Sequence, residues 1–391
     1  MNKQQYDSIF SDPIFSNSIL EYVLSIDPEE ASDSPIYLNI LGYALCTRFT
    51  QKQDPADLEQ AVQTLEHAMP LSSVASPEWL QTIHNLGNVL RVRYDYTDDM
   101  NDLDRAVHLF GQLTEHTPID APETTDYLYN LCTCLLTRFT KTHNIADLDR
   151  AICSWKEMLA RTPIDSPLRL LYLGNLHNGL VTRHSLTNDL NDLAEAIKMG
   201  QAFLDEIPPD DPDRVGFLET LSKSMIKYYH QTDSLADLNA SIRTWKRLVK
   251  STPLDADYLP ILINFLVHGL LTRSNRTHNY DDVQEAIKQQ EYALTLCKPG
   301  SFYQMQCLHN LGSTLKMRYH DTHDIRDLNR SIELLEQAVA LLTPSSQHVR
   351  ADYLSNLANA FYLRFEQTEN IADLDRAKEL KTLASSPHGG L

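Results

Sequence analysis

Apolar residues recur along this chain at the spacing of one face of an α-helix. Between Trp79 and Tyr94, for example, Leu80, Ile83, Leu86 and Leu90 follow one another at intervals of three or four residues. An α-helix completes a turn in about 3.6 residues, so this spacing puts the apolar side chains on one face. The pattern predicts a first helix over Trp79–Tyr94.

A polar stretch separates this first helix from a second one. The helical pattern is interrupted over Asp95–Asn101 and resumes at Asp102. The second helix is expected to end at Thr117–Pro118, because proline lacks the N–H of a helical hydrogen bond and disfavours a helical residue before it. The sequence therefore predicts a helical hairpin with a long turn over residues 95–101.

The same hairpin recurs at a period of 45 residues, with a single last step of 46. The motif D-L-x-x-A/S, which has valine for leucine in the sixth copy, marks the second helix at Asp57, Asp102, Asp147, Asp192, Asp237, Asp282, Asp327 and Asp373. A fixed period of this length is typical of stacked helical repeats. We expect an all-α chain, a right-handed α-solenoid of about eight helix-turn-helix units.

The period also sets the expected domain boundaries. Asp12 and Pro28 lie two periods before Asp102 and Pro118, so residues 1–30 are expected to form an N-terminal capping half-repeat. Repeats 1 to 8 are placed at residues 31–75, 76–120, 121–165, 166–210, 211–255, 256–300, 301–345 and 346–391. The last of these includes a C-terminal cap, since Lys378 and Lys381 replace apolar residues of earlier units and a terminal repeat needs a polar outer face.

Aligned units share columns that predict the core. One first-helix column consists of Leu41, Leu86, Leu131, Leu176, Leu221, Leu266, Leu311 and Leu357. In the second helix the motif supplies alanine or serine, which permits close helix packing, and Trp155 and Trp245 fall in an apolar column and are interpreted as packing residues. Each repeat is therefore expected to bury one side of both helices.

Charge and composition narrow the possible partners. The formal net charge is −19, and binding to nucleic acid or an anionic membrane needs clustered Lys and Arg, so neither partner is expected. No apolar run approaches the roughly 18 residues that span a bilayer. The six cysteines are scattered, which is how free thiols occur in a reducing compartment, so we expect a cytoplasmic protein without disulfides.

The repeat resembles the tetratricopeptide repeat along nearly the whole chain. Leu86-Gly87, Ala106 and Pro118 stand where that family has its leucine-glycine pair, small residue and proline, although the usual period is 34 residues. The long form, N-L-G-x-x-L-x-x-R-[FY] followed by D-L-D-R-A-[IV], is similar to fungal repeat arrays that precede a caspase-like CHAT domain. This chain has no residues left for that domain, so its activity is not carried over.

The resemblance implies that first helices line a concave groove that binds ligands. Asparagines recur there, and an amide can pair with the backbone of an extended peptide through both a donor and an acceptor. The predicted groove residues are His84, Asn85, Asn88, Arg91, Asn130, Asn175, Asn178, Asn310, Asn356 and Asn359. The alternative is that these amides bond neighbouring helices or cap loops.

The fifth and sixth units depart from the pattern, and a specialised centre of the groove is expected near Glu219, Lys223, Lys227, Asn264 and His268. Arginine recurs at Arg48, Arg93, Arg138, Arg183, Arg273, Arg318 and Arg364, but the fifth unit has Tyr228. We interpret this column as pairing with the motif aspartate of the same unit, the alternative being a row of anion contacts. Lys223 and Lys227 are interpreted either as a binding site for a carboxylate group or as part of a solvated face, and the solvated face is the favoured interpretation.

No sequence motif indicates catalysis, a cofactor or a metal site. The histidines His143, His278 and His323 occupy equivalent turn positions in different repeats, so they cannot share one metal ion. His84, His268 and His309 fall in groove columns, where they are acid/base groups or ordinary packed histidines. The leading hypothesis is a non-enzymatic scaffold that binds a protein or an extended peptide.

Two other hypotheses stay open at this stage. One is a small-molecule-binding protein or enzyme with a pocket in the irregular middle repeats. The other is a sensor array that acts with a separate effector chain, suggested by the missing CHAT-like domain. The sequence leaves the identity of the partner and the oligomeric state open.

Overall fold

The computed structural model describes residues 33–118, 120–343 and 347–385, and these residues form sixteen α-helices and one short 3₁₀ helix, Met69–Leu71. The first helices of the hairpins are α1 (Pro35–Lys52), α3 (Pro77–Thr97), α5 (Glu123–Thr142), α7 (Pro167–Thr187), α9 (Asp213–Thr232), α11 (Leu259–Thr277), α13 (Phe302–Thr322) and α15 (Gln347–Thr368). The second helices are α2 (Pro55–Ala68), α4 (Met100–His116), α6 (Ile145–Arg161), α8 (Leu190–Glu206), α10 (Leu235–Ser251), α12 (Tyr280–Leu296), α14 (Ile325–Ala340) and α16 (Ile371–Ser385). The described part of the chain contains no strand, which confirms the all-α prediction.

The chain divides into two compact units, one up to Glu195 and one from Ala196 onward. In the first unit α1 packs on α2, and both pack on α3; the hairpins α3/α4 and α5/α6 follow in chain order. In the second unit α11/α12, α13/α14 and α15/α16 stack in the same way. Within each unit, therefore, helical hairpins stack side by side as in an α-solenoid.

The turn inside each hairpin is shorter than the sequence predicts. α3 continues to Thr97 and α4 begins at Met100, so Asp98 and Asp99 alone join them, and the prediction of a turn over residues 95–101 is wrong. The reason is that Asp98 adopts the left-handed conformation (φ 57°) and the Asp99 carboxylate caps the next helix at Asn101 N–H. Two residues suffice when one reverses the chain and the other caps.

The same left-handed residue recurs once in each hairpin. It is Gln53, Asp98, His143, Asn188, Asp233, His278, His323 and Glu369, with φ between 48° and 60°. His143, His278 and His323 therefore occupy equivalent turn positions, as predicted. Their backbone conformation gives them a structural role at the end of a helix, since each donates its own N–H to a carbonyl four residues earlier.

The predicted core columns are buried. Leu86, Leu131, Leu176, Leu221, Leu266, Leu311 and Leu357 are each at most 2% exposed, whereas Leu41, in the first hairpin, is only half-buried. Large residues of the second helix lie against small residues of the first: a Cβ added at Gly87 would stand 2.9 Å from the Phe110 ring. Trp245 is fully buried, and its indole N–H donates to Ser222 Oγ at 3.0 Å, which confirms its role as a packing residue.

Two predictions concern the ends of the array. The capping half-repeat at residues 1–30 lies outside the described residues. In α16, Lys378 and Lys381 are exposed, whereas Ala377 and Leu380 are buried. None of the described helices combines the length and the apolar character that crossing a membrane requires.

Candidate interaction surface on the first helices

A pair formed by a half-buried arginine and a buried aspartate closes each hairpin that carries the arginine. Arg93 Nε and Nη2 donate to the two carboxylate oxygens of Asp102, each at 2.7 Å, and Asp102 is only 3% exposed. The same bidentate pair, called here the arginine staple, joins Arg48 to Asp57, Arg138 to Asp147, Arg183 to Asp192, Arg273 to Asp282, Arg318 to Asp327 and Arg364 to Asp373. The predicted partner within the same unit is confirmed.

The arginine staple has a second contact, to the preceding hairpin, that the sequence pattern does not predict. Nη1 of Arg93 donates to Glu59 of the preceding hairpin at 2.8 Å. The equivalent acceptors are Asp104 for Arg138, Asp149 for Arg183, Asn239 for Arg273, Gln284 for Arg318 and Asn329 for Arg364. These acceptors stand two residues after a motif aspartate, a recurrence that is visible in the sequence only once the helices are stacked. These six arginines are thus occupied by structural contacts within their own hairpin and with the preceding one.

Several of the predicted groove asparagines bond the neighbouring first helix. Asn85 is 4% exposed, accepts from Gln81 at 3.1 Å and donates to Asn39 of the preceding repeat at 3.4 Å. Asn130 Nδ2 lies 3.3 Å from His84 Nε2, again one repeat earlier. These contacts match the inter-helix alternative at both positions, whereas ligand contact there stays a prediction.

His84 lies at the centre of a polar cluster in the first unit. Its Nε2 is 3.1 Å from Asn88 Nδ2, and its ring centroid is 5.2 Å from that of Tyr127 on α5. Arg91, on the same helix, pairs with Asp95 at 3.1 Å on the exposed surface. His84 and Asn88, two predicted groove residues on α3, therefore lie beside Asn130 on α5.

A second cluster with the same residue types occurs five repeat periods later. The His309 ring stacks on Tyr353 with a 3.8 Å centroid distance and a 5° interplanar angle. Asn356 Nδ2 lies 2.9 Å from His309 Nε2, and Lys316 Nζ donates to Asn356 Oδ1 at 3.0 Å. Asn310 Oδ1 is 3.4 Å from His309 Nδ1. The sequence singles out both histidines, but only the stacking of helices reveals the tyrosine and asparagine partners.

Burial controls the charge of this second cluster. Desolvation and the nearby positive charge of Lys316 lower the pKa of His309, and together they outweigh the raising effects of the Asn310 hydrogen bond and the Asp352 charge. Burial also lowers the pKa of Lys316. A neutral His309 that donates from Nδ1 to Asn310 Oδ1 can accept at Nε2 from the Asn356 amide, so the hydrogen bonds fit the uncharged ring.

The remaining predicted groove residues differ in exposure. Asn178, Lys223, Lys227, His268 and Asn359 are exposed, while Asn175, Glu219 and Asn264 are half-buried. Lys223 pairs with Glu219 at 3.2 Å on the same helix.

The predicted specialised centre is thus a set of positions on two helices. Glu219, Lys223 and Lys227 lie on α9, while Asn264 and His268 lie on α11. His268 is flanked by the His230 ring at 6.3 Å.

Two exposed tyrosines, which are absent from the predicted groove residues, also lie on the first helices. Tyr129 on α5 is 42% exposed, and Tyr362 on α15 is 41% exposed. Tyr129 stands 45 residues after His84 and therefore shares its column, which is the signal that identifies it. An exposed aromatic side chain offers apolar area together with a hydroxyl group for hydrogen bonding.

Two cavities lie in the first compact unit. One of about 740 Å³ is lined by residues that include Met69, Val74, Trp79 and Leu109. The other, of about 420 Å³, is lined by polar residues that include Arg150. Neither cavity is lined by the predicted residues of the middle repeats.

Among the described residues, no three His, Cys, Asp or Glu side chains are grouped closely enough to hold a metal ion.

Comparison with known proteins identifies the family of the second hairpin. The family model for the tetratricopeptide repeat matches residues 79–113, which span most of α3 and α4. A search of curated proteins finds no match to the chain.

Solved structures that resemble this chain are repeat proteins of low sequence identity. The C-terminal part of a TPR repeat-containing protein from Cytophaga hutchinsonii is 14% identical, with 77% of this chain and 96% of that chain covered and a TM-score of 0.48. A structure of nearly identical TPR-like repeats, ascribed to a kinesin light chain of Podosopora anserina, is 13% identical, covers 54% of this chain and 95% of its own, and has a TM-score of 0.36. The TPR protein YrrB, described as having an unusual peptide-binding site, is 15% identical over 56% of this chain and 89% of its own, with a TM-score of 0.35.

The other hairpins share the columns of the matched segment. Leu86 recurs at every period and Ala106 recurs as alanine or serine; both lie within residues 79–113, and the equivalent residues are buried in the hairpins that follow. Residues 79–113 therefore match the tetratricopeptide repeat, and the columns of this segment recur along the chain with a period of 45 residues.

Proposed function

We propose that this protein is an interaction scaffold that binds an extended segment of a partner protein along the exposed face of its first helices. The observation that supports the proposal is that some asparagines of that face bond neighbouring helices while others are exposed to solvent. Asn85, Asn130 and Asn356 hold neighbouring helices, whereas Asn178 and Asn359 project into solvent. Exposed amides on a rigid helical support suit the recognition of a peptide backbone.

Aromatic residues on the same face add to this support. Tyr129 in the first unit and Tyr362 in the second are exposed next to columns that contain the open asparagines. Tyrosine is enriched among residues that dominate binding energy, because its ring buries a large area at low entropic cost. Each compact unit thus presents an exposed tyrosine and an exposed amide on its first helices.

The charge of the face favours a partner segment of mixed or weak charge. Lys223 is already paired with Glu219, and Arg91 is paired with Asp95. The net charge of −19 therefore does not require a basic ligand, because the groove columns of the first helices are close to balance. They carry four basic residues and three acidic ones: Arg91, Lys223, Lys227 and Lys316 against Asp126, Glu219 and Asp352. Carboxylate groups of the partner would meet Lys227, which is exposed.

A selection from a phage-displayed random peptide library tests this proposal without knowledge of the natural partner. The affinity of a selected peptide should fall about fivefold in Asn178→Ala, the value of one hydrogen bond of about 1 kcal/mol. It should fall about tenfold or more in Tyr129→Ala. Fluorescence anisotropy with the labelled peptide measures both changes.

The matched control is Tyr292→Ala, because Tyr292 is an equally exposed tyrosine (39%) on the second helix α12. This variant should bind the peptide as tightly as the wild type. Full affinity in the double variant Tyr129→Ala/Asn178→Ala would overturn the assignment of the first-helix face, and so would a selection that enriches no peptide.

A further inference from the structure

Two cysteines lie side by side at the junction of the sixth and seventh repeats. Cys297 follows the last residue of α12 as its C-cap, and Cys307 lies within α13. Their sulfur atoms are 3.7 Å apart, and both are free thiols. The sequence gives no hint of this pair, because ten residues and a turn separate the two positions.

The two sulfurs differ in environment. Cys307 is buried, whereas Cys297 is partly accessible to solvent. The hydrogen bond that they share lowers the pKa of Cys297 and raises that of Cys307. The accessible sulfur thus carries the greater thiolate character, and the thiolate is the nucleophilic form of cysteine.

The other cysteines lack this combination. Burial raises the pKa of Cys46 to about 11 and the pKa values of Cys132 and Cys134 to about 12. Cys153 is exposed on α6. It therefore serves as an internal reference for a thiol that solvent reaches.

We propose that Cys297 and Cys307 form a redox-sensitive dithiol that a hydroperoxide converts to a disulfide. The Cys297 thiolate attacks the outer oxygen of the hydroperoxide, the O–O bond breaks, and the departing alkoxide or hydroxide takes a proton. Cys307 then attacks the resulting sulfenic acid; an S–S bond forms, the S–O bond breaks, and the Cys307 proton leaves with the hydroxide as water. Two thiols and one hydroperoxide yield one disulfide, one alcohol or water molecule, and one further water molecule.

The local backbone can accommodate this reaction. A disulfide is about 2.05 Å long, so the sulfurs must approach by roughly 1.7 Å. Cys297 lies outside the helix, and the following turn contains Gly300 in the left-handed conformation (φ 72°), where glycine is unstrained. The Asn264 side chain, a predicted groove residue, lies close enough to Cys307 to lower its pKa, so oxidation changes the surroundings of a residue on the first helices.

Peptide mapping after exposure of the purified protein to hydrogen peroxide tests the proposal. Trypsin leaves Lys298–Pro299 intact, so residues 289–316 form one peptide that contains both cysteines and no other. Treated wild-type protein should give this peptide without alkylation and lighter by two hydrogen atoms, and dithiothreitol should restore both alkylation sites. Cys307→Ser should stop at a sulfenic acid on Cys297 that dimedone traps.

Cys153→Ser is the matched control and should form the disulfide as the wild type does. Circular dichroism verifies that each variant is folded, and the wild-type measurement alone is decisive if Cys307→Ser does not fold. The proposal is overturned if Cys297 and Cys307 both remain open to alkylation at a peroxide dose that has already oxidised Cys153. It is overturned equally if dimedone labels Cys307 in Cys297→Ser and leaves Cys297 unlabelled in Cys307→Ser.

Discussion

Arg93 donates two hydrogen bonds of 2.7 Å to the buried carboxylate of Asp102, nine residues further along the chain. The pair joins the end of one helix to the beginning of the next across a turn of only two residues. The third guanidinium nitrogen of Arg93, Nη1, donates a hydrogen bond to Glu59 in the preceding hairpin. One side chain therefore fixes both the geometry within a repeat and the contact between repeats.

Replacing Arg93 by Met should reduce the free energy of unfolding by about 2–3 kcal/mol, because it leaves the buried Asp102 carboxylate without its partner. Arg91→Met is the matched control, since Arg91 pairs only with the exposed Asp95 and such pairs contribute about 0–1 kcal/mol. Urea denaturation followed by circular dichroism measures the difference. Equal losses in the two variants would contradict a special role for the staple.

The left-handed turn residues offer a way to stabilise the protein. His143 has φ 54°, and a side chain in that region costs roughly 1–2 kcal/mol that glycine avoids. His143→Gly should therefore raise the melting temperature. Asp98→Gly should raise it less, because Asp98 also pairs with Lys141 at 2.7 Å. A lower melting temperature for His143→Gly in calorimetry would show that the histidine side chain outweighs the backbone strain.

The glycine of the leucine-glycine pair is predicted to be required for packing. A Cβ at position 87 meets the Phe110 ring at 2.9 Å, so Gly87→Ala should cost about 1–3 kcal/mol through overpacking. The smaller side chain of Phe110→Leu should restore part of this loss in the double variant. Gly216→Ala, where no atom lies within 4 Å, should instead stabilise α9 by up to about 1 kcal/mol. Thermal melts of the four proteins distinguish overpacking from a general intolerance of alanine.

Stability should depend on pH through His309. Burial keeps the pKa of His309 below its ordinary value of about 6.5, so the unfolded chain binds a proton that the folded chain excludes. The folded state is therefore favoured above pH 6.5 and loses this contribution as pH falls from about 6.5 towards the lowered pKa. In His309→Gln the free energy of unfolding should vary less between pH 7.5 and 5.5, pH values chosen on either side of about 6.5. Identical pH slopes in urea titrations of the two proteins would refute this role.

The sequence determined the repeat and most of its internal contacts. The 45-residue period, the burial of the leucine columns and the pairing of Arg93 with Asp102 all follow from patterns local to one hairpin. Such patterns are readable because a helix brings together residues three or four apart, and a short turn fixes how two helices face each other. The turn is shorter than the sequence pattern predicts, because exposed polar residues at the end of a helix carry no apolar period.

Contacts between hairpins were decided by the tertiary structure alone. The second contact of Arg93, to Glu59, the stacking of His309 on Tyr353 and the approach of Cys297 to Cys307 depend on how one helix lies against the next repeat. A shift of one residue in that packing would separate the two members of each pair. A single sequence does not specify the register in which one hairpin packs on the next. The columns of the sequence thus specify the hairpin, while helix packing decides which asparagines hold neighbouring helices and which face solvent.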